Sequence, residues 1–381
     1  MRILVFTDEY DCSYFTFIYN EIKMLREAGV EVHVICERTG KLTDADNNYT
    51  LIPQPENKLL RIIYLQAYKH KMHGLLSMFG YYRKRKKIIK EYKPDLVHTH
   101  FGDTAVRLYF TMEKALAQYP FLVSFHGFDA ASLLNKPQYA DRLRELSKKK
   151  NFFSIHVSKH LYKNLLNAGV TQTEGRSFLL YYGTDLAQFS RTTYSNNIVK
   201  RYLQISSFSE KKGHAYTIAA FKKFNDVHTG KARLIIGGDG PELGSLKKQV
   251  ADHQLEDVVE FTGWVSRQQA VELMNSSDYF VHHSITAANG DQEGMPNAII
   301  EAMAMELPVI ATWHSGIPEL VEDGVNGYLV NEKDTDAYAQ RMADVLQWSY
   351  LPASREKVKE QFSLKVHTEN LLNIYKKIPG N

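Results

Sequence analysis

Short apolar runs alternate with longer stretches of helical periodicity along most of this chain. MRILVFT reads as a first strand. A helical pattern follows through FIYNEIKMLREAG and stops at Gly29, where a glycine suits a helix C-terminus. VEVHVICE alternates as a second strand, and PDLVHTHF, PFLVSFHG, FFSIHVS and RSFLLYYG continue the series. Helical patterns such as AVRLYFTMEKALAQY and KHLYKNLLNAG separate most of them. A polar stretch, DLAQFSRTTYSNNIVK, breaks the rhythm near residues 185–200 and reads as an interdomain linker. A second series then begins with YLQISSF, RLIIGGDGP, VVEFTG, DYFVHHS, PVIAT and GYLV. Strands alternating with helices predict an α/β protein with two parallel, doubly wound sheets in tandem. The predicted divisions are residues 1–190 and 191–361, with a last helical segment at about 362–381. In such sheets ligands bind beyond the carboxyl ends of the strands, so residues that follow strands become the candidates for chemistry.

Composition narrows the class. A length of 381 residues suits two domains, and 44% apolar residues exclude global disorder. Two cysteines, Cys12 and Cys36, provide no disulfide framework and fit a reducing compartment. The apolar start is too short for a secretory signal, and no run reaches the roughly 18 residues of a spanning helix. The expectation is a cytoplasmic chain, soluble or peripheral on the inner membrane face. The net charge of +4 is uneven. Between Arg61 and Lys93 stand Lys69, Lys71, Arg83, Lys84, Arg85, Lys86, Lys87 and Lys90, interleaved with Leu, Ile, Tyr and Phe. Two readings stand: a solvated helical face, or attraction to an anionic membrane surface, where each nearby base contributes ~1 kcal/mol. No nucleic-acid motif accompanies the patch, so nucleic acid is not an expected partner.

The stretch DQEGMPNAIIEAMAMELPVIATWHSGIPELVEDGVNG, from Asp291 to Gly327, is the most informative. Glu293 and Glu301 stand eight residues apart around a Gly-Met-Pro turn. Pro296 suits the first helical position, which places Glu293 in the loop before a helix and Glu301 inside it. The pair then spans about 10 Å at 1.5 Å per helical residue plus a short loop. The backbone amides of Gly294, Met295 and Asn297 fall between them at a helix N-terminus, a ready anion site. A nucleotide-sugar has this layout, with hydroxyls at both ends and a diphosphate in the middle.

The segment resembles the Glu-x7-Glu signature of the retaining family-4 glycosyltransferases. The downstream order of strand, Gly-x-Pro turn, acidic helix and Gly-Asn-Gly loop strengthens the likeness. The resemblance implies the GT-B fold, two Rossmann-like domains facing across a cleft. Residues 1–190 would form the acceptor side, 191–361 the donor side, and HTENLLNIYKKI a helix crossing back to the first domain. It further implies that Glu301 holds the ribose hydroxyls and Glu293 the hydroxyls of the donor sugar. Gly294, Met295, Pro296 and Asn297 would line the diphosphate.

Other motifs take roles from the same likeness. In SEKKGH, Lys212 and Gly213 match the pair that contacts the diphosphate, and a cation there offsets charge on the departing phosphate. Relatives commonly carry Gly-Arg where this chain has Ser206 and Ser207, and a serine cannot replace a bidentate guanidinium. Lys211 and Arg267 are the bases that could compensate. GGDGP at 237–241 reads as a structural turn. Val265 would flank the nucleobase, with Ser266 as the cap of the next helix. His126, in SFHGFD, matches a cleft histidine near the transferred sugar, and Asp129 would orient it or cap the following helix. The loop YDCSYFTFIYNE lacks the usual glycines and resembles enzymes of exopolysaccharide assembly, of colanic-acid and amylovoran type. There Ser13 and Thr16 are candidate acceptor-side hydrogen-bonders, and His100 would face the acceptor. His98 and His100 would share a strand face, but no further ligands at recognisable spacing complete a metal set. Asp44-Ala45-Asp46 is a chance match to an Asp-x-Asp metal motif in a polar turn.

The expectation is therefore a retaining, metal-independent glycosyltransferase with no cofactor beyond its nucleotide-sugar co-substrate, UDP-linked by prior. The acceptor would be a hydroxyl of a glycan or lipid-linked glycan intermediate in surface polysaccharide biosynthesis. The alternatives are a non-catalytic nucleotide-sugar-binding partner and a GT-B nucleotide-sugar epimerase. A phosphorylase is disfavoured, for want of any pyridoxal-lysine context.

Overall fold

The computed structural model describes residues 1–10, 16–39, 49–53, 60, 62, 63, 66, 80–171, 173–194 and 197–379. The chain forms two compact units, Met1–Tyr181 with His367–Asn381, and Tyr182–Val366.

In the first unit the described elements run β1 (Arg2–Tyr10), α1 (Thr16–Glu27), β2 (Glu31–Thr39), β3 (Tyr49–Leu51), α2 (Gly80–Tyr92) and β4 (Leu96–His100). They continue with α3 (Gly102–Leu116), β5 (Phe121–Phe125), α4 (Pro137–Ser147), β6 (Phe152–His156), α5 (Lys159–Asn167) and β7 (Ser177–Leu179). The strands form a parallel sheet in the order β3-β2-β1-β4-β5-β6-β7. β4, β5 and β6 are buried along their whole lengths, which is why they show no polar–apolar alternation, and their His98, Thr99, His100, Ser124, Ser154 and His156 are buried as well. α1 buries Ile18, Ile22 and Leu25 on one stripe, and the chain turns at Gly29 with φ +81°.

The second unit runs β8 (Lys200–Ile205), α6 (His214–Val227), β9 (Ala232–Gly237), α7 (Leu243–Asp252), β10 (Val259–Gly263), α8 (Arg267–Asn275), β11 (Tyr279–His282) and α9 (Asn297–Ala304). β12 (Val309–Thr312), α10 (Ile317–Leu320), β13 (Gly327–Val330), α11 (Thr335–Asp344) and α12 (Pro352–Gln361) follow. Its parallel sheet has the order β10-β9-β8-β11-β12-β13. α13 (Leu364–Lys377) carries the chain back, and its Leu371, Ile374 and Tyr375 pack in the core of the first unit.

The polar stretch read as a linker is instead a strap on the second unit. Phe189 is buried, and the buried Arg191 guanidinium reaches the carbonyls of Met274 at 2.8 Å and Met305 at 2.6 Å. Those carbonyls end α8 and α9, so one cation lies at the negative ends of two helices and bonds a carbonyl of each. Arg191 also stacks on Tyr350, 3.9 Å from the ring centroid. A polar sequence gave no hint of this, because the partners lie some eighty or more positions away.

The basic segment is only partly within the described residues. Arg61, Lys69 and Lys71 lie outside them, as do Cys12, Ser13 and Asp44-Ala45-Asp46. On α2, Arg83, Lys84, Lys87 and Lys90 are exposed. Arg85 is not part of that face: it is buried and paired with Glu37 at 3.0 Å.

Candidate donor-binding site

The sheet order of the second unit reverses between β8 and β11, and in open α/β sheets ligands bind at the carboxyl ends of the strands beside such a switch point. The loops after these two strands carry the residues singled out by sequence. The loop after β8 holds Ser207, Lys212 and Gly213, and the loop after β11 holds Glu293 to Pro296. They meet at an ion pair, with Lys212 Nζ 2.7 Å from Glu293 Oε1. Glu293 is buried, and burial alone opposes its ionisation. Lys212, then Lys211 and His282, outweigh that effect and carry the carboxyl down to about 2. A second pair, Lys211 to Asp291 at 3.1 Å, runs beside the first.

Gly213 makes this approach possible. It sits at φ +60° as the N-cap of α6, and a Cβ there would collide with the carbonyl oxygen of His283. Gly238 and Gly240 likewise lie against the backbone of Ser206 and Phe208, so GGDGP shapes the loop from beneath. Of the two serines in place of Gly-Arg, Ser206 bonds the His214 ring at 3.0 Å, while Ser207 is exposed.

α9 begins one residue later than the sequence suggests. Pro296 is its N-cap, at φ −71° and ψ 112°, and Asn297 is its first residue. Proline cannot donate and here provides no side-chain cap, so the first turn depends on other partners. Met295 is buried and anchors the turn. Glu301 lies along the same helix and stays partly accessible. Burial raises its pKa to about 6, and the Arg267 charge opposes this only in part. The two glutamates thus differ electrostatically, one held ionised by lysines and one near its titration midpoint at weakly acidic pH. Arg267 acts on Glu301, and Lys211 is engaged by Asp291. Val265 packs over Gly237 and lines a cavity of about 260 Å³ with Trp264 and Gln269. Ser266 and Gln269 form a reciprocal capping box on α8.

Sequence reading missed the supports of Glu293. Its backbone N–H donates to His314 Nε2 at 3.1 Å, and His314 Nδ1 lies 2.6 Å from Glu332. A backbone N–H can only donate, so His314 carries its proton at Nδ1 and gives it to Glu332. The Ser315 hydroxyl donates to the Glu293 carbonyl. The histidine of WHSG was the only available signal, and nothing local connects it to Glu332.

The first-unit candidates gather around His126. Its ring lies between Phe17 and Phe101, at centroid distances of 4.8 and 4.7 Å. Thr16, at the start of α1, is the neighbour of Phe17 in the chain. Asp129 is buried and holds the loop through its backbone, accepting from the amides of Gly102, His126 and Gly127 at 2.9 to 3.0 Å. It positions the His126 main chain, not the ring. His100 does not face an acceptor: it is fully buried, with Nδ1 3.0 Å from His126 Nε2. Phe101, at φ +69°, precedes α3; its ring stacks on Phe128 and meets the His126 ring at a tilt.

Two Rossmann-like units, each with its candidate residues at the carboxyl ends of parallel strands, define the GT-B class. The comparisons agree. The model described as Glycosyltransferase Family 4 matches residues 15–188, and that described as Glycosyl transferases group 1 matches residues 192–362. The chain belongs to the family-4 glycosyltransferases. The amylovoran biosynthesis glycosyltransferase AmsK of Erwinia amylovora is 26% identical over 99% of this chain and 100% of its own. WcaL of Escherichia coli (strain K12), named for colanic acid biosynthesis, is 26% identical over 98% of this chain and 99% of its own. Among solved structures, Anabaena Alr3699/HepE in complex with UDP and glucose superposes with a TM-score of 0.76 at 17% identity, covering 99% of both chains.

Proposed function

We propose that this glycosyltransferase moves a sugar, with retention, from a UDP-linked donor to a hydroxyl of a lipid-linked glycan intermediate in surface polysaccharide biosynthesis. The observation that carries the reading is the Lys212–Glu293 pair at the switch point of the second sheet, with Glu301 eight residues further on. The names of AmsK and WcaL support the polysaccharide setting, and the UDP held by HepE supports the base.

In this reading Lys212 and the start of α9, with Gly294, Met295, Pro296 and Asn297, receive the diphosphate. Electrostatic stabilisation of the leaving phosphates by protein cations and amides then needs no metal. Glu301 accepts from the ribose hydroxyls, Glu293 from the donor sugar, and Val265 flanks the base. Lys212 holds Glu293 ionised before the donor arrives, so the acceptor for a sugar hydroxyl is already charged and oriented. His126 in the first unit takes a hydroxyl of the reacting sugars, and Thr16 serves the acceptor. The exposed bases of α2 attract an anionic bilayer from the cytoplasmic side. Among the described residues no helix is long and apolar enough to cross a membrane.

The test is turnover of a panel of nucleotide-sugars with lipid-linked acceptors, reading the anomeric configuration of the product by NMR. A product of inverted configuration overturns the retaining assignment. Ser207 in place of arginine favours one rival, a non-catalytic binder. That rival predicts UDP binding without any turnover across the panel.

A further inference from the structure

One carboxylate ties together the loops that follow three neighbouring strands of the second sheet, β11, β12 and β13. Glu332 follows β13, and its Oε1 lies 2.6 Å from Nδ1 of His314, which follows β12. Its Oε2 accepts the backbone N–H of Thr286 at 2.8 Å, and the Thr286 hydroxyl donates to Oε1 at 3.3 Å. Thr286 and Glu293 belong to the same loop, between β11 and α9. Glu332 therefore holds that loop at Thr286 directly, and at Glu293 through His314, whose Nε2 accepts the Glu293 N–H at 3.1 Å.

The partners determine where the His314 proton sits. An amide N–H donates and a carboxylate accepts, so the ring is neutral in this arrangement and protonated at Nδ1. His314 is buried, and these two bonds account for both of its ring nitrogens. Burial opposes charge on Glu332, but the bonds from His314 and from the Thr286 N–H outweigh it and keep the carboxyl below its ordinary value. With the proton at Nε2 instead, two N–H groups would confront each other and a bare lone pair would face the carboxylate. The ionised Glu332 thus selects the one tautomer that can hold the Glu293 amide.

The main chain of Glu293 is gripped on its other side too, because the Ser315 hydroxyl donates to its carbonyl. Lys212 fixes the carboxylate, at 2.7 Å. Beyond Glu293 the turn has a separate anchor in the buried side chain of Met295. The His314–Glu332 pair therefore acts first on Glu293, and less on the amides that follow it.

We propose that His314 and Glu332 are positioning residues that set the Glu293 carboxylate against the transferred sugar, and so help to discriminate a nucleotide-sugar from the free nucleoside diphosphate. The sugar contact of Glu293 comes from the transferase reading; the tautomer of His314 does not depend on it. A misplacement of about 1 Å in a group that orients a reactant costs about 10²-fold in rate.

The test compares full-length wild type, His314→Asn, His314→Gln and Glu332→Gln, using UDP and the UDP-sugar turned over in the panel above. An asparagine amide reaches about as far as Nδ1 and a glutamine amide about as far as Nε2. His314→Asn thus keeps a donor for Glu332 but loses the acceptor for Glu293, whereas His314→Gln keeps that acceptor. His314→Asn should lower kcat/KM by about 10²-fold while UDP affinity, read by calorimetry, stays within about threefold of wild type. His314→Gln should recover about tenfold of that loss. Long-range proton–nitrogen NMR on chains labelled with ¹⁵N in the histidine rings should show wild-type His314 protonated at Nδ1 alone, assigned by the signal lost in His314→Gln. In Glu332→Gln the side-chain amide can accept or donate, so His314 should show both tautomers and turnover should fall with UDP affinity kept. Wild-type His314 protonated at Nε2, equal losses of UDP affinity and turnover, or His314→Gln no better than His314→Asn would each overturn the proposal. If neither His314 variant folds, Glu332→Gln decides by the same split between turnover and UDP affinity. A wild type without turnover refutes the transferase reading itself; a wild type with turnover that His314→Asn leaves unchanged refutes the positioning role alone.

Discussion

Glu301→Gln should abolish a specific pH dependence of nucleotide binding. The Glu301 carboxyl has a pKa of about 6, because burial resists its charge more than Arg267 supports it. Ribose hydroxyls donate best to the ionised form, and a protonated carboxyl must first release its proton. With that pKa the group is about nine-tenths ionised at pH 7 and about one-tenth at pH 5. Affinity should therefore fall about tenfold from pH 7 to pH 5, beyond any change due to the ligand. Glu301→Gln keeps the shape, loses a charge-assisted hydrogen bond, and should bind about tenfold more weakly at pH 7. The assay is calorimetry with the nucleoside diphosphate at several pH values, taking the ratio of wild-type to variant affinity to cancel titration of the phosphate. Buffers of different ionisation enthalpy should reveal close to one proton released on binding at pH 5 and about a tenth at pH 7. Parallel pH curves for the two proteins would refute the reasoning.

Four further outcomes follow from the same geometry. Without ligand, the raised pKa of Glu301 means that the folded state binds more protons than the unfolded one between pH 4.5 and about 6. Wild-type stability should thus fall relative to Glu301→Gln as pH rises through that window, measured by urea unfolding. Gly213→Ala forces a left-handed alanine onto the carbonyl of His283 and should destabilise the second unit by about 3 kcal/mol, read as a lowered urea midpoint. Arg191→Ala uncaps α8 and α9 together and should cost about 3 kcal/mol, with Arg191→Lys recovering little because an ammonium cannot span both carbonyls. Removal of divalent ions with EDTA should leave turnover unchanged, whereas Lys212→Ala should lower kcat/KM by about 10²-fold.

How much of this was legible depends on the distance over which each feature is specified. The alternation of apolar runs and helices gave the tandem parallel sheets, because strand burial is written locally. Lys212, Glu293 and Glu301 were legible because the loops that carry them have local chemistry: a left-handed glycine, a proline turn and a helix start. Pro296 was misplaced by one residue, since proline is compatible with both the N-cap and the first helical position. The supporting contacts were not legible. Glu21 meets His367 from the opposite end of the chain, and His314 meets Glu332 across two loops. His100 was read as acceptor-facing because strand alternation gives a face but not what covers it; here α1 does, through Glu21. Arg85 looked like one more surface base until Glu37 appeared beside it.

The central claim is that the loops after β8 and β11, with α9, form the donor site. The most direct test is calorimetry of a nucleoside diphosphate panel against the wild type, Lys212→Ala and Glu301→Ala. The account predicts that UDP binds the wild type in the micromolar range and that each substitution weakens it at least tenfold, about 1.4 kcal/mol. Absence of binding by every nucleoside diphosphate, or affinity indifferent to both substitutions, would contradict it.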